Sequence, residues 1–236
     1  MREKFFGAMI FLLTIFFLPL DAQAAESTYV ILIRHGETDY NRQHLFQGSL
    51  DIPLNSMGLK QADLLAQALK DVPIDVFISS PMLRAYVTTE KCAALHGMQI
   101  AYADKRLSEA SYGQWAGKST AEIKKDFARE YKLLNEQRWK YTPPGGESLK
   151  STQKRYRAAL DDAIKKYPGK TILIGAHSAG NAALICSVLD IKLDHFNQFK
   201  QDNTCINVLE YKDGKWRLLL LNSVDHLGYL YKGVHR

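Results

Sequence analysis

The chain has 236 residues, 46% of them hydrophobic, and carries 31 basic against 25 acidic side chains for a formal net charge of +6. That composition excludes a disordered or fibrous chain, and the length beyond the N-terminal segment, about 210 residues, suits one domain with a full core. The basic residues are dispersed and join no recognised nucleic-acid motif, so the excess favours the approach of small anions and argues against a nucleic-acid partner.

Residues 1–24 read as a secretory signal peptide. Arg2 and Lys4 precede an apolar stretch from Phe5 to Leu20, Pro19 interrupts it, and Ala22-Gln23-Ala24 supplies small residues before Ala25. The apolar stretch is shorter than the roughly twenty residues of a spanning helix, and no cysteine precedes Cys92 to carry a lipid. Cleavage near Ala24/Ala25 is therefore expected to release a periplasmic or secreted protein without a stable membrane span. The segment holds Arg2 and Lys4 against Glu3 and Asp21, so the processed chain keeps its +6 charge.

The first strand is expected at 28–34, where Tyr29-Val-Ile-Leu-Ile-Arg34 has the β-branched content of a strand covered on both faces. It delivers Arg34 and His35 onto Gly36, which is expected to turn the backbone sharply. A helix follows at 57–70, with Ser56 as N-cap and Leu59, Ala62, Ala66 and Leu69 at helical spacing. A second strand at 75–79 runs into Ser80-Pro81 and a helix over 82–96, with Pro81 at its start and Arg84 in its first turn, where free N–H groups favour an anion. Further strands are predicted at 98–102, 171–176, 204–211 and 215–221, and helices at 119–134, 148–166 and 179–189. The fourth strand ends at His177-Ser178-Ala179-Gly180, and Asp213-Gly214 closes a hairpin between the last two.

This alternation predicts an α/β three-layer sandwich over residues 25–236, with a mostly parallel central sheet, helices on both faces and a cap insertion at 103–147. In such a sheet the ligand site lies at the carboxyl ends of the strands. Three strand ends there offer Arg34, His35, Arg84 and His177, which together suit an oxyanion.

Several motifs in order resemble branch 1 of the histidine phosphatase superfamily, the group of phosphoglycerate mutase-like enzymes and small phosphatases. They are Arg34-His35-Gly36-Glu37-Thr38 with Asn41, then Phe46-Gln47-Gly48 with Asp51 and Pro53-Leu54, and Ser79-Ser80-Pro81 with Arg84. Leu107-Ser108-Glu109, Gly113-Gln-Trp115-Ala-Gly117, Pro143-Pro144-Gly145-Gly146-Glu147-Ser148, His177 and Asn203 complete the set. The resemblance implies that His35 is phosphorylated and then dephosphorylated by water, and that Glu109 is general acid and base. It implies phosphate contacts from Arg34, Asn41, Gln47, Gly48, Arg84, His177 and Ser178. It also implies no cofactor and no metal, and a small phosphorylated substrate.

The expected activity is that of a phosphoric monoester hydrolase of the histidine acid phosphatase type, with a phosphoglycerate-type phosphomutase as the alternative. Gly113, Trp115, Gly117 and a Thr-x-x-Glu helix start resemble the phosphatase pattern more than the mutase one, and export would separate a mutase from its pathway. A non-catalytic binder fits less well, because His35, Arg34, Arg84, Glu109 and His177 are all present. Ser178 departs from the glycine more common after this histidine, which bears on substrate range. Tyr112, Trp115, Trp139 and Tyr141 are expected to pack against one another, and Cys92, Cys186 and Cys205 read as small hydrophobes without a disulfide framework. The sequence does not define the oligomeric state.

Overall fold

The computed structural model describes residues 26–230, so the leader expected at residues 1–24 lies outside the described residues. Six strands form one sheet: β1 (Thr28–Arg34), β2 (Val76–Ser79), β3 (Tyr102–Ala103), β4 (Thr171–Ala176), β5 (Ile206–Lys212) and β6 (Lys215–Ser223), in the order β3-β2-β4-β1-β5-β6. Strand β1 lies at the centre, parallel to β4 from Tyr29↔Thr171 to Arg34↔Ala176 and antiparallel to β5. Only β5 runs against the rest, so the sheet is mostly parallel.

Helices α1 (Asp39–Arg42), α2 (Ser56–Leu69), α3 (Leu83–Leu95), α4 (Thr120–Asp126), α5 (Ala128–Gln137), α6 (Leu149–Lys166) and α7 (Ser178–Val188) surround the sheet. Alternate residues of β1 supply the two faces. Val30 and Leu32 join a core with Tyr156 and Leu160 of α6 and Leu184 of α7, while Ile31 and Ile33 join one with Leu65 of α2 and Cys92 of α3. A strand buried on both sides reads as the continuous apolar run seen in the sequence.

Five details differ from the sequence expectation. The strand predicted at 98–102 pairs only at Tyr102 and Ala103, because Gly97 turns the chain (φ +64) and a short edge strand suffices against Ile78 and Ser79. The helix predicted over 119–134 breaks at Phe127 (φ −133, ψ 42), whose ring lies edge-on to Trp115. Ser119, not a threonine, caps α4 in a reciprocal capping box with Glu122, and Asn55, not Ser56, caps α2 by accepting from Gly58 N. Pro81 precedes α3 rather than opening it; the cap is Met82, and Asp51 Oδ1 accepts from Leu83 N at 2.7 Å.

Candidate active site

At the carboxyl ends of β1, β2 and β4 a cleft of about 1030 Å³ is lined by Arg34, His35, Asn41, Gln47, Gly48, Arg84, Glu109 and Ser178 among others. Gly36 does not use a left-handed conformation. A Cβ at Gly36 would lie 2.5 Å from Gly58 O, and one at Gly58 would lie 2.0 Å from Glu37 O. The two backbones pass in contact, and this proximity fixes the turn that presents His35.

His35 is buried, with Nδ1 2.7 Å from Gly36 O. A carbonyl only accepts, so Nδ1 carries the proton and Nε2 keeps its lone pair. Burial, then the charges of Arg34 and Arg84, hold the His35 pKa well below its usual 6.5, so the ring is neutral and able to attack an electrophile. His177 is fully buried and its ring lies 5.2 Å from that of His35. Its Nε2 meets Ser80 Oγ at 2.8 Å, and burial followed by the charge of Arg84 keeps it neutral too. Ser80 Oγ also accepts from Met82 N, so this hydroxyl ties His177 to the start of α3.

Each guanidinium is aimed by backbone carbonyls. Arg84 Nη1 donates to Leu50 O (2.8 Å) and Nη2 to Gly48 O (2.9 Å), while Arg34 Nη1 donates to Gln201 O (2.7 Å). Burial lowers both arginine pKa values, yet a guanidinium stays a cation in a protein. Buried polar atoms without a partner among the described residues concentrate here: Arg34 Nε, Arg84 Nε, Gln47 Oε1 and His177 Nδ1. Atoms of this kind destabilise a fold unless a ligand or solvent meets them.

Glu109 enters from the Leu107-Ser108-Glu109 segment. Its carboxylate accepts from Ala110 N (2.9 Å), Ala179 N (3.2 Å) and Gly180 N (3.3 Å), so it is tied to the start of α7 beside His177. Asn41 Oδ1 receives Thr38 N, Thr38 Oγ1 and Asn203 Nδ2, which leaves its NH2 end as the donor toward a ligand. Gly48 takes φ +54 with Ala110 O 3.0 Å from a hypothetical Cβ, which requires glycine. Among the described residues no group of three or more His, Cys, Asp or Glu is placed to hold a metal ion.

Residues 30–224 match the histidine phosphatase superfamily (branch 1). The chain belongs to this family.

Among its superfamily relatives, phosphoserine phosphatase 1 of Hydrogenobacter thermophilus is 32% identical over 207 residues, covering 88% of this chain and 98% of the relative. A solved structure of a phosphoserine phosphatase mutant from Entamoeba histolytica, in complex with phosphoserine, superposes with a TM-score of 0.77 at 30% identity, covering 85% of this chain and 99% of that one. The 2,3-bisphosphoglycerate-dependent phosphoglycerate mutase of Chlamydia caviae is 29% identical over 68% of this chain and 83% of its own. The chain is thus a phosphatase- and mutase-like member of the superfamily, and its phosphatase relatives support phosphomonoesterase chemistry.

The structure brings together all nine residues singled out from the sequence, although His177 reaches the site from the wall behind His35 rather than from the cleft surface. Of the segment 103–147, Glu109 and Tyr112 line the cleft. Trp115 stacks on Tyr141 with ring centroids 5.7 Å apart, and Phe46 meets Tyr112 edge-on, so these aromatics pack on one another as expected. Trp139 instead packs with Ala183 and Leu193 near α7.

Asn203, which belongs to the family motifs, supports the nucleophile: its Nδ2 donates to His35 O at 3.0 Å. Other supporting residues were not marked in the sequence, among them Thr88, whose Oγ1 accepts from Gly36 N. Arg155 of α6 donates to the carbonyls of Arg106, Ser108 and Glu109 and to both carboxylate oxygens of Glu147. Glu147 belongs to the Gly146-Glu147 motif, where the backbones pass so closely that a Cβ at Gly146 would lie 2.4 Å from Ser111 O. Cys92, Cys186 and Cys205 are free and buried, their thiols raised by burial to about 12, 11 and 12. Cys205 lies just before β5, not within a strand.

Proposed function

We propose that this protein is an exported, metal-independent phosphomonoesterase that hydrolyses small phosphate esters through a phosphohistidine on His35. The observation that carries the reading is the 2.7 Å contact of His35 Nδ1 with Gly36 O, which leaves Nε2 as the nucleophile between two guanidiniums.

In the first step Nε2 bonds to phosphorus, the P–O bond to the alcohol breaks, and Glu109 in its acid form gives its proton to the departing oxygen. In the second, Glu109 takes a proton from water, the oxygen bonds to phosphorus and the P–N bond breaks. Ester and water become alcohol and phosphate. Arg34, Arg84, His177 and the Asn41 amide stabilise the equatorial oxygens, with Gln47, Gly48 and Ser178 at the rim, and positioning and charge do most of the work in phosphoryl transfer. Residues 103–147 serve as a cap that brings Glu109 and Tyr112 to the cleft, and residues 1–24 as the export signal. The phosphatase relatives support hydrolysis.

The test is hydrolysis of a phosphomonoester panel with EDTA present, by the protein beginning at Ala25 and by its His35→Ala variant, with acid-labile phosphoenzyme trapping. Expected are phosphate release and a trapped phosphohistidine in the first, and a loss of about 10³-fold or more in the second. Label passing from the phosphoenzyme to a second organic acceptor instead of water would identify a mutase. Export is checked by N-terminal sequencing of the protein recovered outside the cytoplasm; a chain still beginning at Met1 would overturn it.

A further inference from the structure

Beyond the phosphate-binding end, the cleft holds a histidine in a conformation that suits glycine. His44 has φ +54, the left-handed region where an L side chain is strained and glycine is not. The strain is not left loose. His44 N donates to Asn41 O (3.1 Å), Leu45 N to Tyr40 O (2.9 Å) and Phe46 N to Lys118 O (2.9 Å), and Leu45 bridges Ser119. This short segment spans the cleft wall between Asn41 and Gln47, two of the phosphate contacts proposed above. Its exposed imidazole lines the cleft and has no hydrogen-bond or ion-pair partner among the described residues.

The other charged groups on that wall come in balanced pairs. Arg42 donates through Nε and Nη2 to Glu37 Oε1 (3.0 and 2.8 Å), and Lys200 pairs with Asp202 at 2.9 Å. A strained residue held in place by its surroundings points to use of its side chain. We infer that His44 is a specificity-determining residue that donates a ring N–H to a carboxylate carried by the leaving alcohol, so that phosphomonoesters of hydroxy acids are selected over uncharged ones. The inference rests on the phosphoryl-binding reading of the cleft, and it holds whether the phosphoryl group passes to water or to a second acceptor.

The test uses O-phosphoserine and O-phosphoethanolamine, which differ only by the carboxylate. Binding is measured by calorimetry in the His35→Ala background, so turnover plays no part. Replacement His44→Gly, which relieves the backbone, is expected to lower the affinity ratio of phosphoserine to phosphoethanolamine about tenfold, the size of one charge-assisted hydrogen bond, while the melting temperature stays level or rises. His44→Asn, which also tolerates a left-handed backbone and keeps a donor, is expected to fall between the two. An unchanged ratio in His44→Gly, or equal weakening of both esters, would overturn the assignment. Loss of hydrolysis in the parent enzyme with the binding ratio still sensitive to His44 would sink the hydrolase reading alone.

Discussion

Burial of His35 and His177 links their protonation to folding. Both folded-state pKa values lie well below the usual 6.5, so between those values and 6.5 the unfolded chain binds protons that the folded chain does not. Stability is therefore present in full above about pH 6.5 and is lost as pH falls below it. Urea midpoints taken from pH 7.5 down to 5.5 should fall less steeply in His177→Asn than in the parent, by up to one proton, about 1.4 kcal/mol per pH unit; parallel slopes would mean that His177 is charged in the fold. Glu109 is testable through the leaving group. Glu109→Gln should lower kcat about 10²-fold or more on alkyl phosphates, and far less on para-nitrophenyl phosphate, whose phenolate leaves without a proton. At this scale Arg34, His35, Arg84 and His177 were legible because they sit where apolar runs stop. Thr88 was not, since it accepts from Gly36 N from 52 residues away and nothing local marks it.

Among elements, α6 does the least visible service to the site. Tyr156 donates to Leu107 O at 2.7 Å, and Arg155 gathers the carbonyls of Arg106, Ser108 and Glu109, so one helix turn sets the path of the loop that carries Glu109. Arg155 does not itself line the cleft and acts by positioning. Arg155→Lys keeps the charge but cannot span several acceptors at once; kcat on alkyl phosphates should fall about tenfold with KM nearly unchanged, and para-nitrophenyl phosphate should be spared. An equal loss on both esters would show that the whole cleft had moved. Helix α2 constrains the nucleophile in a similar way. Gly58→Ala would force a Cβ to within 2.0 Å of Glu37 O, so the first turn of α2 and the Gly36 turn must separate. The expected loss is about 2 kcal/mol of stability by urea unfolding. Helix periodicity revealed α2, α3, α6 and α7 nearly to their ends. It failed at Phe127, where packing against Trp115 overrides a local pattern that permits one continuous helix.

For the molecule as a whole, alternating strands and helices made a mostly parallel sheet legible, while the reversed direction of β5 was not, because it follows from the β5–β6 hairpin docking beside β1. The same assembly concentrates like charge at its centre. Burial lowers the pKa of both Arg34 and Arg84, their two histidine neighbours are neutral, and Glu109 is a carboxylate whose charge acts on both guanidiniums. Such a centre is an incomplete electrostatic arrangement that a phosphate dianion completes, so binding to the folded state must stabilise it by mass action. At a phosphate concentration near 100 times Kd the gain is about 2.7 kcal/mol, which for a domain of this size corresponds to a melting temperature higher by about 5–10 °C. Sodium chloride at matched ionic strength should give much less, because screening does not reproduce the hydrogen bonds of Arg84 and Asn41. Arg84→Met keeps most of the side-chain volume and removes the cation; its melting temperature should be nearly insensitive to phosphate. If Arg84→Met responds to phosphate as the parent does, the anion is held elsewhere on this basic surface, and the cleft loses its claim to be the phosphoryl site.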